Sequence, residues 1–473
     1  MCMKPMYKII FVVVLSLVLS NCKKTLQVTF PPGLLPDTRV LGNDSSTLDV
    51  VTSVCISMAG SGPIDGPNSL YLELGLAADE LQQYYPESDL LAIYADNFSP
   101  GQDYFWSYFY IQIYACNAVI NSLPAAQIAT ASPLRRQAIG EAFFLRAFLF
   151  FYATSLYGDI PLPVTTDYRI NNVLTRSPQT AVYTRIIEDL TTARGVLTAG
   201  YLDGRGSSTS DRVRPNRWAA TALLARVHLY AGNWVDAEAA VDSVFAAGSQ
   251  YTLLTDLNQV FLANSPEAIW QIAPVIEPSN TFAGFIFPLD QAPDFQHMVA
   301  MSPTLVKSFE PGDLRLSKWV GQLDVPAAGS TPDAIYYYPY KYKVPFSTPP
   351  QEYLMVMRLG EQYLIRAEAR ARQGDLTGAA ADLNPLRSRS GLPGTTAATQ
   401  SQLLAAIAHE RQVELFTEFG DRWLDLKRTG SLDSVMQVVT PLKGGVWHSY
   451  ESLLPIPASE IQLNPHLTQN PGY

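Results

Sequence analysis

Two stretches of this chain spell one kind of unit, and that unit limits what the chain can build. One is PNRWAATALLARVHLYAGNWVDAEAAVDSVFAAG from Pro215, the other RLGEQYLIRAEARARQGDLTGAAADLNPLRSRSGLP from Arg358. Each reads as a helix, a short glycine turn and an alanine-rich helix, with GNW as one turn and QGD as the other. Small residues let helices approach closely, and a lone pair cannot bury its apolar face, so such units must stack on neighbours. Further helices are expected at 104–123, 133–157 and 177–197, the second closed by Gly158 with Pro161 and Pro163 just beyond it. The expected fold is therefore mainly α, a set of tetratricopeptide-like helical repeats.

The repeats are interrupted. Residues 251–350 are rich in proline and aromatics and lack helical periodicity. AIWQIAPV reads as a short strand and YYYPYKYKVP as an extended segment broken by proline, with a short helix near Pro303 to Phe309. This is expected to be a loop-rich, aromatic-rich second lobe with short strands. The resulting division is 1–21 signal peptide, 22–49 lipidated tether and extended lead-in, 50–250 N-terminal helical repeats, 251–350 insertion lobe and 351–473 C-terminal helical region.

The signal peptide rests on Lys4 and Lys8 followed by the apolar run Ile9 to Leu19, too short for a bilayer span of ~20 residues. The run ends Leu19-Ser20-Asn21-Cys22, which resembles a bacterial lipobox, although Asn21 stands where that motif usually has Gly, Ala or Ser. Cys22 is the expected lipidation site, with a soluble body held to a membrane by its acyl chains. Cys55 and Cys116 are left either to pair or to remain buried thiols. A net charge of −10, with no basic run beyond the N-terminus, argues against nucleic acid as a partner.

No metalloprotease, nucleophile-elbow, Walker or dinucleotide motif is present, and His228, His297, His409, His448 and His466 are scattered without ligand spacing. Neither metal nor cofactor is expected, nor is the chain expected to be an enzyme. The carboxylate pair Glu410 and Glu414 belongs to Ile407–Gly430, IAHERQVELFTEFGDRWLDLKRTG. There Ile407, Leu415 and Phe419 share a face that Phe416 and Trp423 broaden. Gly420 is expected to end the helix and Asp421 to cap the next. The glutamates would repel at i, i+4 without cations among them. Arg358, Glu361, Arg366 and Glu368 are the expected partners of Glu410, Arg411 and Glu414.

ERQVELFTEFGDRWLDLKRTG also resembles the C-terminal signature of SusD/RagB-type lipoproteins, outer-membrane nutrient-binding partners of TonB-dependent transporters. Three more phrases fit the same family in order: Trp106, Tyr110, Ile113 and Asn117 on one helix; GEAFFLRAFLFFYATSLYGDIPLP at 140–163; and the ending LLPIPASEIQLNPHLTQNPGY. The resemblance implies a lipid-anchored outer-membrane protein at the cell surface that captures an oligosaccharide and delivers it to a SusC-like TonB-dependent transporter. The alternatives are a peptide or other nutrient as cargo, or, in another class, a secreted glycosidase or repeat scaffold. Lys23 and Lys24 follow Cys22 where surface-displayed relatives often carry acidic residues.

The resemblance places the ligand loop between Asp79 and the Trp106 helix. Tyr84, Tyr85, Tyr94 and Phe98 are its candidate stackers, and Asp79, Asp96 and Asn97 its candidate hydrogen-bonding groups. Relatives that bind glycans often have tryptophan in this loop, and this chain has none there. Phe295, Trp319, Tyr336 and Tyr338 of the insertion are expected to supply a second wall. Aromatic faces stack on apolar sugar faces, and carboxylates and amides satisfy the hydroxyl rim. Trp106 and Tyr110 are assigned to packing.

Overall fold

The computed structural model of the protein describes residues 41–60, 62–85, 88–327 and 333–473. The signal peptide, Cys22 and most of the tether lie outside the described residues. Helix makes up 52% against 9% strand, as expected of a mainly α fold.

In chain order the main helices are α1 (Asp44–Gly60), α2 (Leu70–Ala77), α3 (Ser88–Tyr94), α4 (Trp106–Asn121), α5 (Pro133–Tyr157), α6 (Gln179–Val196), α7 (Arg217–Tyr230) and α8 (Trp234–Phe245). After the insertion come α9 (Leu359–Gln373), α10 (Leu376–Arg389), α11 (Gln400–Leu415), α12 (Asp421–Arg428), α13 (Leu432–Leu442) and α14 (Ala458–Leu463). The longer strands are β1 (Leu81–Gln83), β2 (Ala268–Ile272), β3 (Val299–Met301), β4 (Val320–Val325), β5 (Ala334–Pro339) and β6 (Leu354–Arg358).

Helix α5 is the axis of the stack. Ser132 caps it by accepting from the Arg135 N–H, Pro133 opens it, and Gly158 at φ +74° closes it. It is apolar nearly all round, as suits a helix packed on every side, and α1, α4 and α6 cover it. Phe144 and Phe148 meet Trp270 of β2 edge to face, at 4.9 and 5.5 Å. The hairpins α7/α8 and α9/α10 then pack through α8 on α9. Gly374, at φ +87°, makes the second hairpin's turn, and Asp375 caps α10 on the Gly378 N–H.

The insertion is tied back at two sheets. β2 pairs antiparallel with β6, and β3 pairs with β1, placing Leu81 opposite Met301 and Gln83 opposite Val299. β4 and β5 form a hairpin of their own.

A departure from expectation lies in the signature segment. The stripe residues Ile407, Leu415, Phe416, Phe419 and Trp423 are all buried. The helix, however, stops at Leu415 rather than at Gly420, and Thr417 (φ 53°) and Phe419 (φ 50°) turn left-handed ahead of Gly420 (φ 72°). Asp421 does not cap α12; Gly420 takes the N-cap position with no side-chain bond, and Asp421 is buried as the first helical residue. The physical reason is a set of buried donors that compete for the helix's last carbonyls. Lys341 Nζ donates to the carbonyls of Glu414 and Phe416, each at 2.8 Å, and Arg358 Nη2 donates to Glu414 O at 2.9 Å. Left-handed backbone at a threonine and a phenylalanine is costly and persists only where the surroundings over-determine it.

Glu80 helps hold this turn, accepting from the Thr417 N–H at 3.3 Å through Oε2. Its other oxygen is buried without a hydrogen-bond partner. Burial, and then the neighbouring Asp79 charge, push the Glu80 carboxyl up to about 8. The folded protein therefore holds a proton that the unfolded chain releases near its ordinary value of 4.5. Between those two values stability should fall as pH rises, by up to ~1.4 kcal/mol per unit from this group. Glu80→Gln has no such proton to lose. Its stability relative to the parent should be least at pH 4.5, climb toward pH 8 and level off above, as read by urea midpoints across that range. A difference that does not change with pH would refute the assignment.

Candidate functional site

Strand β1 ends where the candidate site begins. The Tyr84 N–H continues the ladder to Met298 O at 2.9 Å, which fixes Tyr84 and Tyr85 at the surface, 41% and 39% exposed. The β4–β5 hairpin brings Tyr336 against Tyr84, edge to face, with ring centroids 5.2 Å apart. Two segments some 250 residues apart thus share one aromatic corner. Burial raises the Tyr84 hydroxyl, with Tyr336 and Tyr94 adding to the effect.

Tyr94 ends α3. It lines a cleft of ≈ 340 Å³ together with Asp79, Gln82, Ser302, Lys307 and Lys443, among others. Lys443 Nζ lies 5.4 Å from the centre of the Tyr94 ring and donates to the carbonyls of Leu76 and Ala77, each at 2.7 Å. Burial lowers the Lys443 ammonium to about 8, against the opposing pull of Asp96 and Asp79.

Tyr84, Tyr85 and Asn97 are exposed, and Tyr94, Tyr336 and Tyr338 are partly so. The other four candidates are buried; Asp79 still lines the Tyr94 cleft, whereas Asp96, Phe98 and Trp319 are held in the interior, which corrects their expected contact with a ligand. Trp319 is fully buried; its indole N–H donates to Leu257 O at 2.8 Å, and Lys341, Arg358 and Arg389 stand over its ring. It is a lining of the ion cluster, not a wall of a site. Phe98 is buried edge to face against Tyr104 and Trp423. Asp96 is buried at φ 57°, accepting from Thr440 Oγ1 at 2.6 Å, with Lys443 Nζ at 3.7 Å. Asp79 spends both carboxylate oxygens on Arg422, each at 2.7 Å. Phe295, by contrast, is 63% exposed.

Lys443 and Thr440 went unnoticed in the sequence. No spacing links them to Asp96, some 345 positions earlier, and only the fold joins them. Trp106 and Tyr110 pack as expected, 4.7 Å apart, with Trp106 edge-on to Tyr157 at 5.0 Å. Cys55 and Cys116 are free thiols, both pushed up to about 12 by burial. Among the described residues no three His, Cys, Asp or Glu side chains group as a metal site would require.

The interior holds a charge cluster that the sequence showed in part. Glu414 accepts from Arg358 at 2.6 Å, from Arg315 at 3.0 Å and from Arg389. Glu410 pairs with Arg315 and Arg387, and Glu418 with Arg358 and Lys341. Of the expected partners only Arg358 reaches the Glu410–Glu414 pair. Glu361 pairs with Arg226, Arg366 with Asp242 and Asp382, and Glu368 with Arg428; Arg411 takes Asp425. All are committed to structure.

Comparison with known proteins agrees with this architecture. The SusD family model matches residues 317–473, and a second, described as starch-binding associating with outer membrane, matches 81–229. A SusD-like protein of Formosa agariphila is 24% identical over 82% of this chain and 84% of its own length. The starch-binding protein SusD of Bacteroides thetaiotaomicron is 36% identical, over 28% of this chain and 23% of its own. Among solved structures, a SusD superfamily protein from Bacteroides vulgatus superposes with a TM-score of 0.77 at 21% identity, covering 91% of this chain and 99% of that one. A laminarin-binding SusD-like protein gives 0.72 at 24% identity, covering 91% and 99%. Two SusD-type family models thus match separate stretches of the chain, and it shares the fold of SusD superfamily structures over nine-tenths of its length.

Proposed function

We propose that this protein is a non-catalytic outer-membrane lipoprotein that captures an oligosaccharide and passes it to a TonB-dependent transporter. The observation that carries the reading is the Tyr84–Tyr336 corner, assembled from the loop and the insertion, with exposed Tyr85 next in the chain and Tyr94 near enough to act on the Tyr84 hydroxyl. Flat rings with hydroxyl tips offer what a sugar requires, an apolar face to stack on and polar groups at its edge. The relatives' names point the same way: one is called starch-binding, another laminarin-binding, and a structural neighbour from Bacteroides fluxus a surface glycan-binding protein. Outer-membrane association follows the description of the second family model, and Cys22 would carry the lipid.

No covalent step is involved. The corner is largely preformed, so little ordering opposes binding, and affinity is limited by desolvation of the polar rim. The repeat helices give a rigid face for the transporter, and energy for uptake comes from the transporter's partners.

The test is the chain from residue 23 onward, run through native gels cast with starch, laminarin and other polysaccharides, beside calorimetry with oligosaccharides and with peptides. One glycan should retard it. Tyr84→Ala with Tyr336→Ala should weaken that binding by about tenfold or more while the melting profile stays unchanged. Heat from peptides and none from any glycan would replace the saccharide reading with a peptide one.

A further inference from the structure

The β4–β5 hairpin carries more tyrosine than one corner needs. Tyr336, Tyr338 and Tyr340 stand at alternate positions along β5 and just past its end. Alternate residues of a strand share a face, about 6.6–6.8 Å apart. Tyr337 takes the opposite face and packs against the main core. The two faces of the strand are therefore put to different uses.

The register explains how the rings are laid. Tyr336 is opposite Leu323, and Tyr338 is opposite Gly321. A Cβ on Gly321 would lie 2.1 Å from Cζ of Tyr338 and 2.6 Å from its hydroxyl oxygen. Only glycine lets this ring lie down across the hairpin. Tyr340 meets Tyr338 edge to face at 5.7 Å, and its own N–H is held by Trp319 O at 2.7 Å. Lys343, itself bonded to Asn258, places its ammonium 5.3 Å from the centre of the Tyr340 ring. At the other end Tyr84 closes on Tyr336. The four rings thus form two near-perpendicular pairs, Tyr84/Tyr336 and Tyr338/Tyr340. In each, one ring turns its edge to the other's face.

We propose that these pairs are two saccharide subsites in a row along the hairpin, so that the protein selects linear oligosaccharides long enough to reach both. The proposal rests on the saccharide-binding reading above and narrows it to chain form and length. From Tyr336 to Tyr340 the strand advances about 13 Å. A disaccharide engages the Tyr84/Tyr336 pair alone, and a linear chain of three or more sugars extends from it onto Tyr338/Tyr340. Because the two pairs sit on one hairpin, the second contact follows the first without a further loss of freedom, and length is converted into affinity.

The experiment is calorimetry of the chain from residue 23 with two series of defined length, maltose to maltohexaose and laminaribiose to laminarihexaose. In the series that binds, affinity should rise by about two- to tenfold or more once the chain passes two sugars, then level off. Tyr340→Ala should remove that rise and leave disaccharide affinity unchanged. Gly321→Ala should do the same by lifting the Tyr338 ring, which is free to swing, so the fold survives. Tyr84→Ala should weaken every length alike. Binding that is independent of length, or an equal loss at all lengths in Tyr340→Ala, would overturn the two-subsite proposal and leave saccharide binding standing. Silence from both series at every length would overturn both.

Discussion

Glu414→Ala should cost the folded protein about 3–5 kcal/mol, the usual penalty for removing one partner from a buried ion pair. The carboxylate lies fully buried between Arg315, Arg358 and Arg389, and its backbone carbonyl accepts from Lys341 and Arg358. Without it three guanidinium groups keep only their remaining partners, Asp313 and Glu410 for Arg315, Glu418 and Glu267 for Arg358, and Glu267 for Arg389. Glu188→Ala, at an exposed i, i+3 pair with Arg185, is the matched control and should cost about 0–1 kcal/mol. Urea midpoints measured at neutral pH with unchanged slope would check both.

The same carboxylate has a pH signature. Burial alone would raise it, but Arg389, Arg358 and Arg315 outweigh burial and hold it below its ordinary value of 4.5. A group depressed in the fold contributes stability that is fully present above its unfolded value and is lost as pH falls toward the folded one. The parent should therefore lose stability below pH 4.5 more steeply than Glu414→Ala does. Near-equal stability of the two proteins at pH 7 would show that the cluster contributes nothing net.

The limits of the sequence follow from where the deciding contacts sit. Helix ends set by local chemistry were legible: Pro133 and Gly158 bound α5, and the QGD turn appears at Gly374 as read. The stop at Leu415 was not legible, because it is imposed by Lys341 and Arg358, both more than 50 positions away. Local rules gave Gly420 the role of ending the helix, whereas these cations end it five residues sooner. The aromatic corner divides in the same way. Tyr84, Tyr94 and Tyr336 could be named from their loops, but which aromatics face solvent depends on distant partners. Trp319 and Tyr336 look alike as members of an aromatic-rich insertion; one is drawn beneath three cations and the other is held against Tyr84. Tyr340 had a signal that went unused, the alternation within Tyr336-Tyr337-Tyr338-Pro339-Tyr340, which assigns three rings to one face.

Gly420→Ala is expected to be the second severe substitution, at about 2–5 kcal/mol, and it separates two costs that glycine positions often combine. The residue stands at φ 72° between the strained turn and α12, and left-handed backbone costs an L-residue ~1–2 kcal/mol. A Cβ there would also lie 2.3 Å from Cδ1 of Leu74 and 2.7 Å from its Cβ. Leu74 is buried on α2, which packs against α12, so it cannot swing aside as an exposed side chain would. Overpacking of that kind adds ~1–3 kcal/mol. Gly430 gives the internal reference. It ends α12's last turn at φ 74° with nothing within 4 Å of its would-be Cβ, so Gly430→Ala should incur the backbone cost alone. The difference between the two variants in urea midpoint measures how tightly α2 and the Asp79–Glu80 segment are clamped to the signature helix. Leu74→Ala removes the Cδ1 contact but keeps the Cβ at 2.7 Å and leaves a cavity of its own, so the double variant should stay less stable than Gly420→Ala while costing less than the sum of the two single changes. If both glycine variants cost the same, the contact with Leu74 yields freely, and the turn is held by Lys341 and Arg358 rather than by close packing.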